Sequence, residues 1–196
     1  MEFLSKEELY FSWYLEELQE AGYIDNWGEA KTYQLGEKVI IRYEEQLKTK
    51  TKEKEQTILN GCEYTPDFQI HWNIKAENIF KHYPLQFGDG IGTFTEPIAR
   101  KKIETPFIIM RLPCLVEIKP NFDQNNMTRL NTINRKWMYQ KYGIFVNLVK
   151  VPDIFKDTFT PKKFLLTDSG KQNRIIHFNT RTLEEYVKLK IPKIDV

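Results

Sequence analysis

The chain has 196 residues, of which 41% are hydrophobic and 14% are aromatic. This length and apolar content favour one packed domain over residues 1–196 and argue against global disorder. The 29 Lys and Arg residues nearly balance the 27 Asp and Glu residues, so the net charge of +2 neither requires nor excludes a nucleic-acid partner. No stretch approaches ~18 consecutive apolar residues and the N-terminus lacks a signal-peptide pattern, so we expect a soluble, cytoplasmic protein with no membrane span. The two isolated cysteines, Cys62 and Cys114, are typical of reduced thiols in that compartment.

The first predicted element is a helix over residues 5–21. Ser5 is a suitable N-cap, and Glu8, three residues later, completes a capping-box pattern. Aromatic and aliphatic residues then recur at helical spacing, and Gly22 stands where a helix would end.

Residues 31–74 are typical of β-structure. The runs within 31–45 predict two strands separated by Gly36, which could pair as a hairpin. The charge run at 48–56 predicts a solvated loop, the ends of two long strands, or a flap that contacts DNA. Residues 61–74 predict a further strand, because aromatic and aliphatic residues alternate there with polar ones.

The second half of the chain predicts a crossover between strands. Residues 79–112 are interpreted as an irregular insertion, and residues 112–120 as a short strand bounded by prolines. A predicted helix at 127–142 ends at Gly143 and is followed by a buried strand at 144–149. A strand, a helix and a second strand in this order indicate a partly parallel sheet.

The tail after about residue 150 is interpreted as a C-terminal extension that ends in a short helix at 182–188. Taken together, the elements predict an α/β fold in which helices flank a mixed central β-sheet.

Two acidic positions lie inside strand-like runs. Asp67 follows Pro66, and Glu117 is separated from Lys119 by one residue. Because residues i and i+2 of a strand point to the same face, Glu117 and Lys119 project together. Pro-Asp alone marks turns, and Glu-x-Lys alone is usually a solvated face, so the prediction rests on their joint occurrence in strands.

Carboxylates brought together by neighbouring strands form an oxygen-ligand site for Mg²⁺ or Mn²⁺. We expect Asp67, Glu117 and the backbone carbonyl of Ile118 to hold the ion, with Glu8 as a further ligand, directly or through water. The chemistry that needs this set is phosphodiester hydrolysis, in which the metal polarises the phosphate and activates water. Lys119 would orient that water and stabilise charge on the phosphoryl oxygens.

The order of these motifs resembles the PD-(D/E)xK nuclease superfamily, with Pro66-Asp67 followed by Glu117-Ile118-Lys119. The opening Ser5-Lys6-Glu7-Glu8 is similar to the Ser-x-x-Glu start of phage endonucleases and of the end-cleaving subunits of heteromeric transposases. The stretch Tyr64-Thr65-Pro66-Asp67-Phe68 is similar to the Tyr-x-Pro-Asp-Phe form of small phage and mobile-element nucleases. The resemblance covers roughly residues 5–150 and implies a restriction-endonuclease-like core. The separation of 50 positions from Asp67 to Glu117 exceeds the short hairpin typical of the family, which implies an insertion.

A cation-rich helix follows the Glu-x-Lys motif, at the place where members of the family carry a basic helix beside the active site. Its candidate phosphate contacts are Arg129, Arg135, Lys136 and Lys141. The alternative is an ordinary helix whose aromatic residues lie in the core and whose cations lie in water.

The predicted function is a Mg²⁺- or Mn²⁺-dependent endonuclease that cleaves DNA, of phage or mobile-element type. Cutting both strands with one site per chain favours a homodimer, and a partner protein of a phage or transposition complex is the other association we consider. Two alternatives remain open. One is a non-catalytic nucleic-acid-binding module with a nuclease-like fold. The other is a phage interaction or structural protein in which Glu117 and Lys119 merely pair on a solvated face.

Overall fold

Helices and strands are distributed over the part of the chain that the computed structural model describes, namely residues 5–76, 79–80, 113–119, 127–167 and 170–191. The helices within these ranges are α1 (Lys6–Glu20), α2 (Met127–Tyr142), α3 (Val151–Asp157) and α4 (Leu183–Lys190). The strands are β1 (Ile24–Gly28), β2 (Tyr33–Gly36), β3 (Val39–Gln46), β4 (Thr51–Leu59), β5 (Cys62–Tyr64), β6 (Phe68–Trp72), β7 (Cys114–Ile118) and β8 (Val146–Val149). Short 3-10 turns lie at Ile74–Ala76 and Lys162–Leu165.

A four-stranded mixed sheet in the order β1-β6-β7-β8 forms the centre of the fold. β6 pairs antiparallel with both β1 and β7, whereas β7 and β8 run parallel. α2 lies between β7 and β8 in the chain, as a connection between parallel strands requires. The predicted α/β class, with a mixed central sheet and flanking helices, is confirmed.

The remaining four strands form two separate two-stranded ribbons, β2 with β5 and β3 with β4. The two strands predicted within 31–45 are present, but the predicted hairpin between them is wrong. Burial explains the different partners, because β2 buries Tyr33 and Leu35 beside α2 while β3 buries no residue. The charge run at 48–56 forms the turn and most of the second strand of the β3–β4 ribbon, which agrees with the interpretation as the ends of two long strands.

Each face of the central sheet packs against a different set of elements. On one face, α1, α3 and α4 cover the even-numbered positions of β6 and β7, in a core that includes Phe11, Tyr14, Phe68, Ile70, Trp72, Cys114, Val116, Ile154, Phe155 and Tyr186. On the opposite face, α2 and the β2–β5 ribbon cover Leu115 and Val146 with Tyr33, Leu35, Tyr64 and Met138. Odd-numbered residues of β7 therefore point towards α2.

α1 has the bounds that the capping pattern predicts. The Ser5 hydroxyl accepts a hydrogen bond from the Glu8 backbone N–H at 3.1 Å, and Gly22 follows the helix with φ of +76°. Tyr14 lies in the middle of the buried face, and its hydroxyl is 3.1 Å from that of Thr158. The tail after residue 150 is thus joined to the same core as the first helix.

The remaining predictions concern the second half of the chain, the cysteines and membrane spans. α2 and β8 appear at 127–142 and 146–149, and the C-terminal helix is present with a full capping box between Thr182 and Glu185. The predicted insertion at 79–112 lies outside the described residues, apart from Ile79 and Phe80. Both cysteines are free thiols. None of the described helices has the length and apolar character needed to cross a membrane.

Candidate active site

Strand pairing brings Asp67 and Glu117 to the same level of the central sheet. β6 and β7 are neighbours with Phe68 opposite Val116, and one further step of this antiparallel register places Asp67 opposite Glu117. Both residues have the odd-numbered parity that points to the α2 side. The 50-residue excursion between them therefore returns to the adjacent strand, as the proposed site requires.

The Asp67 side chain bonds to the backbone of β7 next to the pairing of β6 with β7. Its Oδ2 atom accepts a hydrogen bond from the Ile118 backbone N–H at 2.6 Å, directly before β6 begins. Within the described part of the chain, Oδ1 accepts no hydrogen bond and the carboxylate forms no ion pair. One oxygen thus fixes the orientation of the side chain while the other stays available to a ligand.

Glu117 is held by one donor at each carboxylate oxygen. The Tyr64 hydroxyl donates to Oε2 at 2.9 Å, and the Asn131 amide donates to Oε1. Tyr64 comes from β5 and Asn131 from the second turn of α2, so three separate elements meet at this carboxylate.

Burial raises the pKa values of both carboxyl groups, and a neighbouring negative charge adds to each rise. Burial raises the pKa of Asp67 to about 6, the Ile118 N–H opposes this rise, and the charge of Glu8 adds to it. Burial also raises the pKa of Glu117 to about 7, and the charge of Asp67 raises it further. The donors Tyr64 and Asn131 and the cation of Arg135 act in the opposite direction. Such a pair of carboxylates is short of positive charge near neutral pH.

Glu8 lies in the first turn of α1, near enough for its charge to act on Asp67. Its Oε1 atom accepts a hydrogen bond from the Ser5 hydroxyl at 2.9 Å. Ser5 thus contacts both the backbone and the side chain of Glu8, while the charge of Glu8 acts on Asp67, so a place in the helix cap and a place beside the site are compatible.

Lys119 follows β7 and is half-buried. Its backbone N–H donates to the Val149 carbonyl at 2.8 Å, which extends the parallel pairing with β8 by one residue. Its ammonium group makes no hydrogen bond or ion pair with any described residue, and it therefore forms no ion pair with Glu117. The two side chains share a face without forming the surface ion pair that would give this motif a purely structural role.

The predicted metal ligands meet only in part. Within the described ranges, no group of three or more His, Cys, Asp or Glu side chains is close enough to hold a metal ion together. Asp67 and Glu117 lie opposite each other on neighbouring strands, and one or two carboxylates with several waters are the ligands that Mg²⁺ uses in proteins.

The cations predicted on α2 differ in their surroundings. Arg135 donates from Nε to the Val146 carbonyl at 2.8 Å, lies over the Phe145 ring, and acts electrostatically on Glu117. Lys141 donates to the Gln34 carbonyl at 2.8 Å, a contact that joins α2 to β2. Arg129 and Lys136 are exposed to solvent. Arg135 is thus the cation of this set that lies nearest to the carboxylates.

Sequence reasoning gave no role to Tyr64 or Asn131, which hold Glu117. Tyr64 belongs to the Tyr-Thr-Pro-Asp stretch, and its position three residues before Asp67 was the signal that could have identified it. Asn131 lies four residues before Arg135, and this spacing puts both on one face of a helix.

The Tyr64→Phe protein is expected to have a higher Glu117 pKa than the wild type, because the Tyr64 hydroxyl favours the ionised carboxylate. The pH dependence of Mn²⁺ affinity should move to higher pH for the same reason. A ¹³C NMR titration of the Glu117 carboxyl group measures the change. Tyr33→Phe is the matched control, since Tyr33 is the cross-strand partner of Tyr64 and its hydroxyl donates no hydrogen bond to a carboxylate of the described chain. Equal Glu117 titration in the two variants would contradict the role given to Tyr64.

Comparisons of the chain with protein-family models, with curated proteins and with solved structures found no match. The functional assignment therefore depends on the geometry and chemistry of the site itself.

Proposed function

We propose that the chain is a metal-dependent deoxyribonuclease of phage or mobile-element type that hydrolyses DNA phosphodiester bonds, built on a restriction-endonuclease-like core. The observation that carries the proposal is the pairing of Asp67 with Glu117 across the two inner strands, both with raised pKa values. The two-residue period of a strand assigns Lys119 to the same face. Perturbed carboxylates that face each other are more frequent at functional sites than elsewhere.

The donor set fits a hard divalent cation. Asp67 offers a free oxygen and Glu117 keeps lone pairs beside its two hydrogen bonds, so both can bind an ion while Ile118, Tyr64 and Asn131 keep them oriented. An ion bound there would offset the burial of both carboxylates and the repulsion that Asp67 exerts on Glu117. When bound, Mg²⁺ or Mn²⁺ supplies charge neutralisation of the scissile phosphate and a water of lowered pKa.

The chain's own residues contribute positioning and charge. The Lys119 ammonium has no partner among the described residues, and on the carboxylate face it can donate hydrogen bonds to a water and to a phosphoryl oxygen. Glu8 adds negative charge beside Asp67 and can reach a bound ion through water. Arg135 and the exposed Arg129 and Lys136 extend the positive charge along α2, where a DNA backbone would be neutralised.

A structural explanation of the same motif is less well supported. If Glu117 and Lys119 only paired on a solvated face, an ion pair between exposed side chains would be expected. Glu117 instead takes its hydrogen bonds from Tyr64 and Asn131, and burial raises its pKa to about 7 although the charge of Arg135 opposes this rise.

Cleavage is expected to depend on a divalent ion and to increase with pH through about 6 to 7, since both carboxylates must lose a proton to bind the ion. The test is a titration of Mg²⁺ and Mn²⁺ against supercoiled, single-stranded and branched DNA, with EDTA as the zero point. Glu117→Gln protein prepared in parallel excludes a contaminating nuclease. DNA binding without cleavage at any metal concentration would favour the non-catalytic module, and absence of both would reject a nucleic-acid function.

A further inference from the structure

The β3–β4 ribbon is almost entirely exposed on both faces. No residue of either strand is buried, and Glu45 and Lys54 alone within the two strands are half-buried. A two-stranded ribbon without a packed face is marginally stable, so it adds little to the core. Nine residues of β4 give it a length of about 30 Å.

Charges on β4 are sorted between the two faces of the ribbon. The sequence Lys52-Glu53-Lys54-Glu55 alternates in sign, and a strand has a period of two residues. Lys52 and Lys54 therefore lie on one face and Glu53 and Glu55 on the other. Lys50 continues the same alternation towards the turn, and Lys48 lies within that turn, which is closed by a hydrogen bond from Leu47 N–H to the Lys50 carbonyl at 2.9 Å.

The register with β3 strengthens this separation. Glu44 is directly opposite Glu53, and Arg42 is opposite Glu55 and bonded to it at 2.7 Å. This acidic face (Arg42, Glu44, Glu53 and Glu55) carries three carboxylates and one guanidinium. Like charges directly opposite each other destabilise a ribbon, so Glu44 and Glu53 do not serve its folding.

The other face of the ribbon is cationic. Tyr43 is opposite Lys54, and Glu45 is opposite Lys52 and bonded to Lys54 at 2.5 Å. We define the cationic face as Tyr43, Glu45, Lys52 and Lys54 together with the turn lysines Lys48 and Lys50. It carries four lysines against one carboxylate, with a 43% exposed tyrosine among them.

We propose that the cationic face of the β3–β4 ribbon binds the phosphate backbone of DNA, while the acidic face keeps the opposite side of the ribbon away from it. A two-stranded ribbon fits the width of a DNA groove, and lysines on one face neutralise phosphates without reading base sequence. Tyr43 offers a ring for packing against a sugar or an unstacked base. The choice of DNA rests on the proposed nuclease function, and the ribbon adds a substrate contact separate from α2.

The test compares two triple variants in binding to labelled duplex and single-stranded DNA in EDTA, where no strand is cut. Lys48→Ala, Lys50→Ala and Lys52→Ala together should weaken binding and reduce the slope of log affinity against log salt by about 2 to 3 units. Glu44→Ala, Glu53→Ala and Glu55→Ala together, the matched control, should bind as tightly as the wild type or more tightly. Replacing the same three lysines with arginine should restore both the affinity and the slope, which excludes a loss of folding.

Unchanged affinity and slope in the lysine variant would overturn the inference, as would equal weakening in the acidic control. A change in oligomeric state by sedimentation, with DNA affinity unaffected, would identify the ribbon as a self-association arm and reject DNA as its ligand. Salt-sensitive binding through the ribbon without metal-dependent cleavage would reject the nuclease proposal and leave this inference standing. Metal-dependent cleavage by the wild type, with unchanged DNA binding by the lysine variant, would support the nuclease proposal and reject this inference.

Discussion

We expect the Lys119→Ala protein to lose DNA cleavage by a factor of about 10² to 10³ while keeping its fold, the effect typical of removing one donor that stabilises a charged transition state. Lys119 is placed by the pairing of its backbone N–H with the Val149 carbonyl, which alanine preserves. Its ammonium makes no contact with a described side chain that the fold would lose. The change therefore removes a charge from the carboxylate face and little else.

A control variant, a second variant of the site and a check of the fold accompany this experiment. Lys156→Ala, an exposed lysine on α3, should leave cleavage unchanged. Asp67→Asn should also abolish cleavage, because the amide oxygen can still accept the Ile118 N–H but the negative charge for the ion is gone. Circular dichroism and thermal unfolding of each protein verify the fold. Wild-type cleavage by Lys119→Ala would exclude Lys119 from the site and would contradict the role given to its ammonium group in hydrolysis.

The elements that could be predicted from sequence are those with local signals. α1 has an N-cap at Ser5, an apolar face and a terminating glycine, and all three are features of neighbouring residues. α2 was predicted with its observed bounds for the same kind of reason. β1 was missed because Ile24–Gly28 contains one β-branched residue, and α3 because Val151–Asp157 is only seven residues long with a proline in its first turn.

Strand pairing could not be predicted from such local signals. Whether β3 pairs with β2 or with β4 depends on which strand has a buried partner, and that partner for β2 is α2, about a hundred residues away in the chain. The same limit applies to the site. Glu117 and Lys119 share a face by strand period alone, whereas the approach of Asp67 depends on the β6–β7 register and the approach of Tyr64 and Asn131 on two further elements.

The geometry of the site also predicts that its carboxylates lower the stability of the folded state when no cation is bound. Asp67 and Glu117 are half-buried carboxylates without an ion pair to any described residue, and Glu8 adds a third negative charge nearby. Repulsion of this kind opposes folding in the absence of a bound cation. A protein selected for stability alone would not keep it, so an ion that binds the folded state should stabilise the chain.

The Glu117→Gln protein is expected to be more stable than the wild type at pH 8 without metal, by about 2 kcal/mol. The folded-state pKa of Glu117 is raised from its ordinary 4.5 to about 7. Below pH 4.5 the group is protonated in both states; as the pH rises to 7, the unfolded chain ionises first, and the folded state loses relative stability. Glutamine is neutral at every pH and can still accept from Asn131, while the Tyr64 hydroxyl can turn to accept from the new amide.

Urea unfolding of both proteins at pH 5 and at pH 8, with and without Mn²⁺, measures the effect. The stability difference should be small at pH 5, where wild-type Glu117 keeps its proton when folded, and large at pH 8 without metal. Saturating Mn²⁺ should stabilise the wild type and leave Glu117→Gln nearly unaffected, because the variant has lost an ion-binding charge. Glu63→Gln, an exposed glutamate of β5, is the control for removing a charge elsewhere. If Glu117→Gln were the less stable protein at pH 8 without metal, Glu117 would be a structural anchor for Tyr64 and Asn131 rather than a carboxylate kept at a cost for binding a cation.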